Sequence, residues 1–419
     1  MSRILLTGAT GLIGGAVLHQ ALSANHPAEW VCLVRAPDVE TGRQRIAARL
    51  GRFTNPLTAQ RLAQRVEIVT GDFTQADRIA NPRLDSVTQV LHLAADTSWW
   101  AQEKVHRTNH DGTLALARRA ARMKGLTRFL HVSTAMICGA APAGLIDETQ
   151  YPSPEANHLV HYSASKAAAE TSLAAQFPDL PLVVARPSIV IGHSTLGARP
   201  GSSILWVMRA GDRLRLLACE ADGSVDVVPS DWVADTLIGM LDRPELRHKV
   251  YHLSAGTEKR TRWDALGQAF AAADPDGGPR DYERFAAGDR GRLHARFAET
   301  FGLDEAIKVA MFRALQAYYR FCALNVTFDN ARLMAEGFAA PPSLPEYLAR
   351  CLSNSGEIVD QFREDFGNFA QAPAPRGETA PRLAPPLRAG DETRAVPADL
   401  LAQAARERRR AGRGRPATA

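Results

Sequence analysis

Short runs of nearly unbroken apolar residues recur along the first half of the chain: "RILLTG", "EWVCLVRA", "RVEIVTGDF", "QVLHLAA", "RFLHVST" and "LPLVVARPSIVIG". Each is of strand length and is bounded by glycine or polar residues. Helical patterns lie between several of them, as in "GLIGGAVLHQAL", "HRTNHDGTLALARRAARMKG" and the segment from Tyr162 to Gln176. Strands that are apolar on every residue are buried on both faces. Alternation of such strands with helices predicts a Rossmann-type, doubly wound parallel sheet of the α/β class. Beyond Gly192 the alternation breaks. "KVYHLSAG" reads as one further strand, and from Arg262 to Phe366 the pattern is mainly helical. The expected organisation is a nucleotide-binding domain over 1–195, completed by about 225–260. A smaller, mainly helical cap follows over 196–224 and 261–366, and then a disordered tail over 367–419.

Charge sharpens that division. From Gln371 to Ala419 there are ten Arg against five Asp or Glu, which is the whole formal net charge of +5. The body is therefore neutral and offers no basic face for nucleic acid. The tail, rich in Pro, Ala, Arg and Gly, buries little apolar surface and is expected to be disordered. No run reaches the roughly 20 apolar residues of a membrane span. The five cysteines (Cys32, Cys138, Cys219, Cys322, Cys351) are odd in number and lack a C-x-x-C spacing. That pattern speaks against a disulfide framework or a zinc site, with no metal expected, and fits a reducing cytoplasm.

"TGATGLIG" follows the first strand and opens a helix. Its glycines, Gly8, Gly11 and Gly14, permit a tight turn that brings backbone close to a pyrophosphate at a helix N-terminus. Thr10, Leu12 and Ile13 belong to the same turn. The second strand ends in "CLVRA", with Arg35 where an acidic ligand for the ribose hydroxyl of NAD would stand. Arg45 lies ten residues on. Two cations suit the extra phosphate of NADP(H).

"HYSASKAAAE" places Tyr162 and Lys166 four residues apart among strong helix formers, one turn apart on one face. Taken alone the pair is as ordinary as any surface pair. Taken with the nucleotide turn it is a candidate acid-base couple, because a neighbouring ammonium stabilises a phenolate and draws its pKa down toward neutrality.

The chain resembles the extended short-chain dehydrogenase/reductases, and more narrowly their fatty acyl-CoA reductase and thioester reductase branch. "TGATGLIG", "CLVRA", "GDF", "LHLAADTSW", "NHDGT", "HVSTAMICG", "YSASK", "ARPSIVIG" and "VPSDWVAD" carry the likeness in the family's order over residues 1 to 240. "YYRFCALNVTFDNARLMAEGFAAPPSLPEYL" adds a likeness to the C-terminal part of acyl reductases. The resemblance implies that Asp72, with Phe73, meets the adenine and that Ala94 and Ala95 line the cofactor channel. It implies that Asn109 supports the active-site helix and that Pro187, Ser188 and Ile189 touch the nicotinamide. Thr134 takes the family's hydroxyl position, with Ser133 as its rival. Tyr162 and Lys166 become the catalytic pair, Lys166 also holding the nicotinamide ribose. The substrate it implies is an acyl thioester of CoA or of a carrier protein, reduced to aldehyde, with further reduction to alcohol left open.

Two other functions compete. A dehydrogenase or epimerase of the same superfamily would act on a sugar nucleotide, steroid or hydroxy-ketone. A silent sensor of NADP would not need Thr134, Tyr162 and Lys166 together. The apolar stripes "SILWVMRAG" and "AIKVAMFRALQAYYRF" suit either an acyl tunnel or the cap's own core, and Trp99 and Trp100 suit either acyl lining or packing. His92, His131 and His161 are expected to be packing residues. "DGSVDVVPSDWVAD" is expected to tie cap to sheet.

Overall fold

The apolar runs become one seven-stranded sheet: β1 (Arg3–Thr7), β2 (Glu29–Val34), β3 (Glu67–Thr70), β4 (Gln89–His92), β5 (Arg128–Val132), β6 (Leu182–Pro187) and β7 (Val250–Leu253). Every pairing is parallel, and the spatial order is β3-β2-β1-β4-β5-β6-β7. The order reverses between β1 and β4, where a doubly wound sheet opens a crevice at its carboxyl edge. The computed structural model describes residues 2–370 except 100, 141–143, 150–155, 202, 218–222, 275–277, 279 and 286–288, with backbone alone for 365–370. Trp100, Cys219 and the expected tail from 371 onward lie outside the described residues.

Strand alternation explains why the runs are apolar throughout. Ile4, Leu6, Cys32 and Val34 face one core layer with Val17 and Leu18 of α1 (Leu12–Ser23) and Ile46 of α2 (Val39–Leu50). Leu5, Val31, Leu33 and Val90 face the other layer with Leu114 and Ala117 of α3 (Gly112–Ala120) and Leu173 of α4 (His161–Gln176). Because side chains alternate across a strand, both sets must be apolar when helices cover both faces.

The cap contains α5 (Leu205–Leu214), α7 (Trp263–Ala273), α8 (Arg290–Phe301), α9 (Ala306–Ala323), α10 (Leu344–Ser353) and α11 (Ile358–Ala370), while α6 (Ser230–Asp242) returns to pack on α1. Helix α11 runs past residue 367, where the tail was expected to begin. The two apolar stripes are the cap's core. Trp206, Val207 and Ala210 of α5 pack with Met311, Leu315, Tyr318 and Tyr319 of α9, and with Phe297 and Phe362. A cavity lies beside them, lined by Met208, Trp263 and Phe270.

"DGSVDVV" ties cap to sheet as expected. Ser224–Val225 pairs with Thr261–Arg262, and Val227–Val228 pairs with Ile189–Val190 beyond β6. Between them, buried Asp226 accepts from the Ala255 N–H at 2.8 Å and the Phe328 N–H at 3.2 Å. At the outer edge of the sheet, Glu148 accepts from the His252 N–H of β7 at 2.8 Å and from the Arg332 N–H at 3.0 Å. Arg332 Nη1 donates to the Val250 carbonyl at 3.2 Å. Burial pushes the Glu148 carboxyl up to about 7 and Asp226 up to about 6.

Candidate active site

The residues singled out from the sequence gather at the carboxyl ends of the strands. Gly8 to Gly14 follow β1, Arg35 follows β2, Asp72 and Phe73 follow β3, and Ala94 and Ala95 follow β4. Ser133 and Thr134 follow β5, and Pro187 to Ile189 close β6.

The first turn is built for close approach. Gly8 has φ +77°, and a Cβ there would stand 2.7 Å from the backbone N of Ala94. A Cβ on Gly14 would stand 2.2 Å from the Gly8 carbonyl oxygen. Gly11 N–H closes the turn on Gly8 O at 2.9 Å, and Gly11 caps α1 without a side-chain acceptor. The first N–H groups of α1 are thus left for an external anion, and a dinucleotide pyrophosphate fits this cradle.

At the adenosine end, the Arg35 side chain is largely exposed, with Nη1 4.0 Å from Asp72 Oδ2. Arg45 donates to the Arg35 backbone carbonyl. Asp72 Oδ1 accepts from both the N–H and the hydroxyl of Thr74 at 2.9 Å. The Phe73 ring is a core residue, packed on His92 at 5.2 Å between centroids, so only its backbone remains for a nucleotide.

The helix bearing Tyr162 is anchored from below. Asn109 is 1% exposed in a π-helical turn, Arg107–Asp111. Its Nδ2 donates to the Asp96 carbonyl and to Ser165 Oγ, each at 2.9 Å, and its Oδ1 accepts from the Asp96 N–H at 2.7 Å. Ser165 in turn donates to the Tyr162 carbonyl at 2.7 Å. Asn109 therefore joins the loop after β4 to the first turn of α4. On the outer side of the π turn, His106, His110 and Asp111 bring metal-ligand chemistry together, but His110 engages both ring nitrogens, with Asp111 and with Ser172.

Lys166 is 2% exposed, and its Nζ donates to the Val132 carbonyl at 2.7 Å. Burial lowers its pKa to about 8, against which the charge of Glu170 acts. Burial also raises the Tyr162 phenol to about 12. This runs against the expectation of a phenol drawn down toward neutrality: burial disfavours the phenolate, even though the Tyr162 side chain is only half-buried.

Thr134 Oγ1 accepts from the Met136 N–H at 3.2 Å, leaving its own proton free for a substrate oxygen. The rival, Ser133, has a buried hydroxyl without a partner. Half-buried Met136, Leu159 and Phe321 border one apolar cluster, and the Trp99 ring lies tilted against those of Phe321 and Tyr318, with centroids 5.3 and 4.2 Å apart. His92 bonds Thr7 and Thr113 at 2.7 and 2.8 Å. Burial holds both His92 and His131 far below the usual imidazole range, so both are neutral packing groups. Cys32, Cys138, Cys322 and Cys351 are all free.

Two residues of this region were not singled out from the sequence. Glu170 and Arg186, each 1% exposed, form an ion pair at 2.7 Å directly behind Lys166. The signal for Glu170 was present in the four-residue spacing Lys166-x-x-x-Glu170. The signal for Arg186 was not, because it depends on which strand lies under α4.

A sheet of this order, a glycine cradle after β1 and a Tyr-x-x-x-Lys helix after β5 define an extended short-chain dehydrogenase/reductase, a class of nicotinamide-dependent oxidoreductases. More particularly, residues 6–237, over half of the chain, match the model of the male sterility protein family, and the chain belongs to that family, in its thioester reductase branch. It is 33% identical over 270 residues to the hybrid PKS-NRPS synthetase mycA of Thermothelomyces thermophilus, covering 58% of this chain and 6% of that protein. It is 26% identical over 314 residues to fatty acyl-CoA reductase 1 of Rattus norvegicus, covering 63% of this chain and 60% of that one. The chain thus spans less than two thirds of either relative. The terminal R domain of the myxalamid PKS-NRPS pathway shares the fold with a TM-score of 0.68 and 23% identity, over 84% of this chain and 90% of that one. UDP-glucuronic acid 4-epimerase from Bacillus cereus shares it with a TM-score of 0.55 and 15% identity, over 86% and 96%. Among the described residues no helix is long and apolar enough to cross a membrane.

Proposed function

We propose that this chain is an NADPH-dependent reductase of an acyl thioester, carried on CoA or on a carrier protein, with Thr134, Tyr162, Lys166 and Asn109 as its working residues. In this reading 1–195 with about 225–260 hold the cofactor, and 196–224 with 261–366 form the substrate cap. What supports it is that half-buried, apolar Met136 and Leu159, two and three residues along the chain from Thr134 and Tyr162, border one apolar cluster with Phe321, a wall suited to an acyl chain. A sugar substrate needs polar partners in that place; an acyl chain needs apolar ones.

A bound nicotinamide supplies hydride to the carbonyl carbon. The chain's residues do the rest. Thr134 donates a hydrogen bond to the carbonyl oxygen, and Tyr162 donates a proton as negative charge develops there. Lys166, as an ammonium, lowers the cost of the resulting phenolate. The C–S bond of the hemithioacetal then breaks. Thioester, NADPH and a proton give aldehyde, free thiol and NADP⁺.

The test is NADPH oxidation with acyl-CoA thioesters of increasing length, with aldehyde and alcohol identified by mass spectrometry and thiol release measured. Aldehyde with stoichiometric thiol is expected. With the cap's stripes committed to its own core, efficiency should respond to chain length only as far as the wall extends, at about 0.8 kcal/mol per methylene buried. Epimerisation of a sugar nucleotide or oxidation of a secondary alcohol, with no thioester turned over, would move the protein to the competing dehydrogenase or epimerase reading, which has the shared fold in its support.

Cofactor choice gives a separate check. With Arg35 and Arg45 following β2, and Asp72 as the carboxylate 4.0 Å from Arg35, a charge-assisted phosphate contact contributes on the order of 1.5–3 kcal/mol. NADPH should bind at least about tenfold tighter than NADH, and Arg35→Ala should remove most of the difference. Equal affinities by calorimetry would exclude NADPH preference.

A further inference from the structure

Glu170 and Arg186 are an ion pair buried from solvent, each side chain 1% exposed. Arg186 Nη2 donates to Glu170 Oε2 at 2.7 Å, and Nε lies 3.2 and 3.1 Å from the two carboxylate oxygens. Removing both charges from water is costly, and such a pair adds little stability over apolar residues of the same size. Its position supplies another reason to have it.

Glu170 stands four residues after Lys166 on α4, so the two side chains share a face one turn apart. Lys166 is itself a buried cation whose hydrogen bond goes to a neutral carbonyl. The groups around it are Tyr162 and Glu170 from α4, His92 from β4, His131 from β5 and, behind Glu170, Arg186 from β6. Both histidines are neutral, and the field of Lys166 is itself one cause of their low values. Tyr162 carries its proton. Glu170 is therefore the anion in this set.

We propose that Glu170 and Arg186 form a positioning pair for the reaction: Glu170 is the fixed counter-charge that keeps Lys166 an ammonium in a dry interior, and Arg186 holds that carboxylate in place. Arginine suits the second role because it keeps its charge at every working pH and grips a carboxylate in a planar fork. Neither residue touches the reacting atoms; both act through Lys166. The proposal rests on the reading of Lys166 as the partner of Tyr162, and extends it to the charge balance behind the helix.

The chain has six lysines, which makes a direct measurement practical. In full-length protein labelled with ¹³C at lysine Cε, the Lys166 resonance is identified by its absence in Lys166→Arg, and its titration is followed by NMR. Wild type should titrate near 8, the depressed value burial imposes. Glu170→Gln removes the counter-charge but leaves the buried Arg186 guanidinium without the carboxylate of its ion pair, which destabilises the fold. Glu170→Gln/Arg186→Met removes both charges at similar volume and avoids that. In either variant Lys166 should lose its proton at a pH lower by about one unit, a tenfold change in equilibrium. Glu170→Asp, which keeps the charge, should stay close to wild type.

A merely structural pair would lower the melting temperature and leave the Lys166 titration where it was, and that result overturns the proposal. The titration needs no substrate. Failure of the reading of Lys166 as the partner of Tyr162, seen as near-normal turnover in Tyr162→Phe, would therefore be recognised separately from failure of the pair.

Discussion

Tyr162→Phe should lower turnover by a factor on the order of 10² or more and leave NADPH affinity nearly unchanged. The ring stays the same size, so the half-buried site keeps its packing, but the proton donor is gone. With its phenol pushed up to about 12, Tyr162 holds its proton at neutral pH, which suits the reducing direction. Lys166→Ala should impair both turnover and cofactor binding, because in the proposed reading the ammonium serves phenol and ribose together. Stopped-flow oxidation of NADPH with saturating thioester, beside a fluorescence titration of cofactor alone, separates the two effects. Near-normal turnover in Tyr162→Phe would reduce Tyr162 to a packing residue.

The pH dependence has a definite sign. A Lys166 value of about 8 lies below the ordinary lysine value, so activity that needs the ammonium should fall as pH rises through 8. For stability the same shift acts the other way. Between about 8 and 10 the unfolded chain holds this proton more firmly than the folded one, so the contribution of Lys166 to stability rises with pH over that window.

Gly14→Ala should have an effect of comparable size at the cofactor end. The added Cβ would meet the Gly8 carbonyl oxygen at 2.2 Å and the Gly8 carbonyl carbon at 2.8 Å, and both are backbone atoms that cannot swing aside. The turn has to move, at the usual overpacking cost of about 1–3 kcal/mol. Because the turn is the cradle, NADPH affinity should fall roughly 10- to 100-fold, with a loss of a few degrees in melting temperature. Gly125→Ala, with nothing within 4 Å of the new methyl, is the matched control and should be neutral. Unchanged NADPH affinity in Gly14→Ala would show that the turn does not carry the cofactor.

What could be read in the sequence was whatever is local or periodic. Strand runs such as "WVCLV" are apolar on both faces because both faces are buried, and the glycine spacing states its own geometry. Tyr162 and Lys166 declare a shared helix face, and Asn109 was reached through the resemblance. What depends on three-dimensional surroundings was not readable. The direction of the Tyr162 shift turns on how dry the site is. The stripes of α5 and α9 have the composition of a tunnel lining, but each lies where it fills the other's core. Arg186 meets Glu170 only because β6 runs beneath α4, and Glu148 finds the N–H of His252 across 104 residues of chain.

The contacts at β7 also bear on how copies of this protein behave toward one another. A terminal strand offers alternate N–H and carbonyl groups outward, and a neighbouring molecule can add a strand to them and propagate a stack. Here the outward N–H of His252 is taken by Glu148 and the outward carbonyl of Val250 by Arg332, so the growing end of the sheet is already terminated from within the chain. Glu148 and Arg332 thus act as gatekeepers of colloidal behaviour. Replacing them would expose a template for self-assembly.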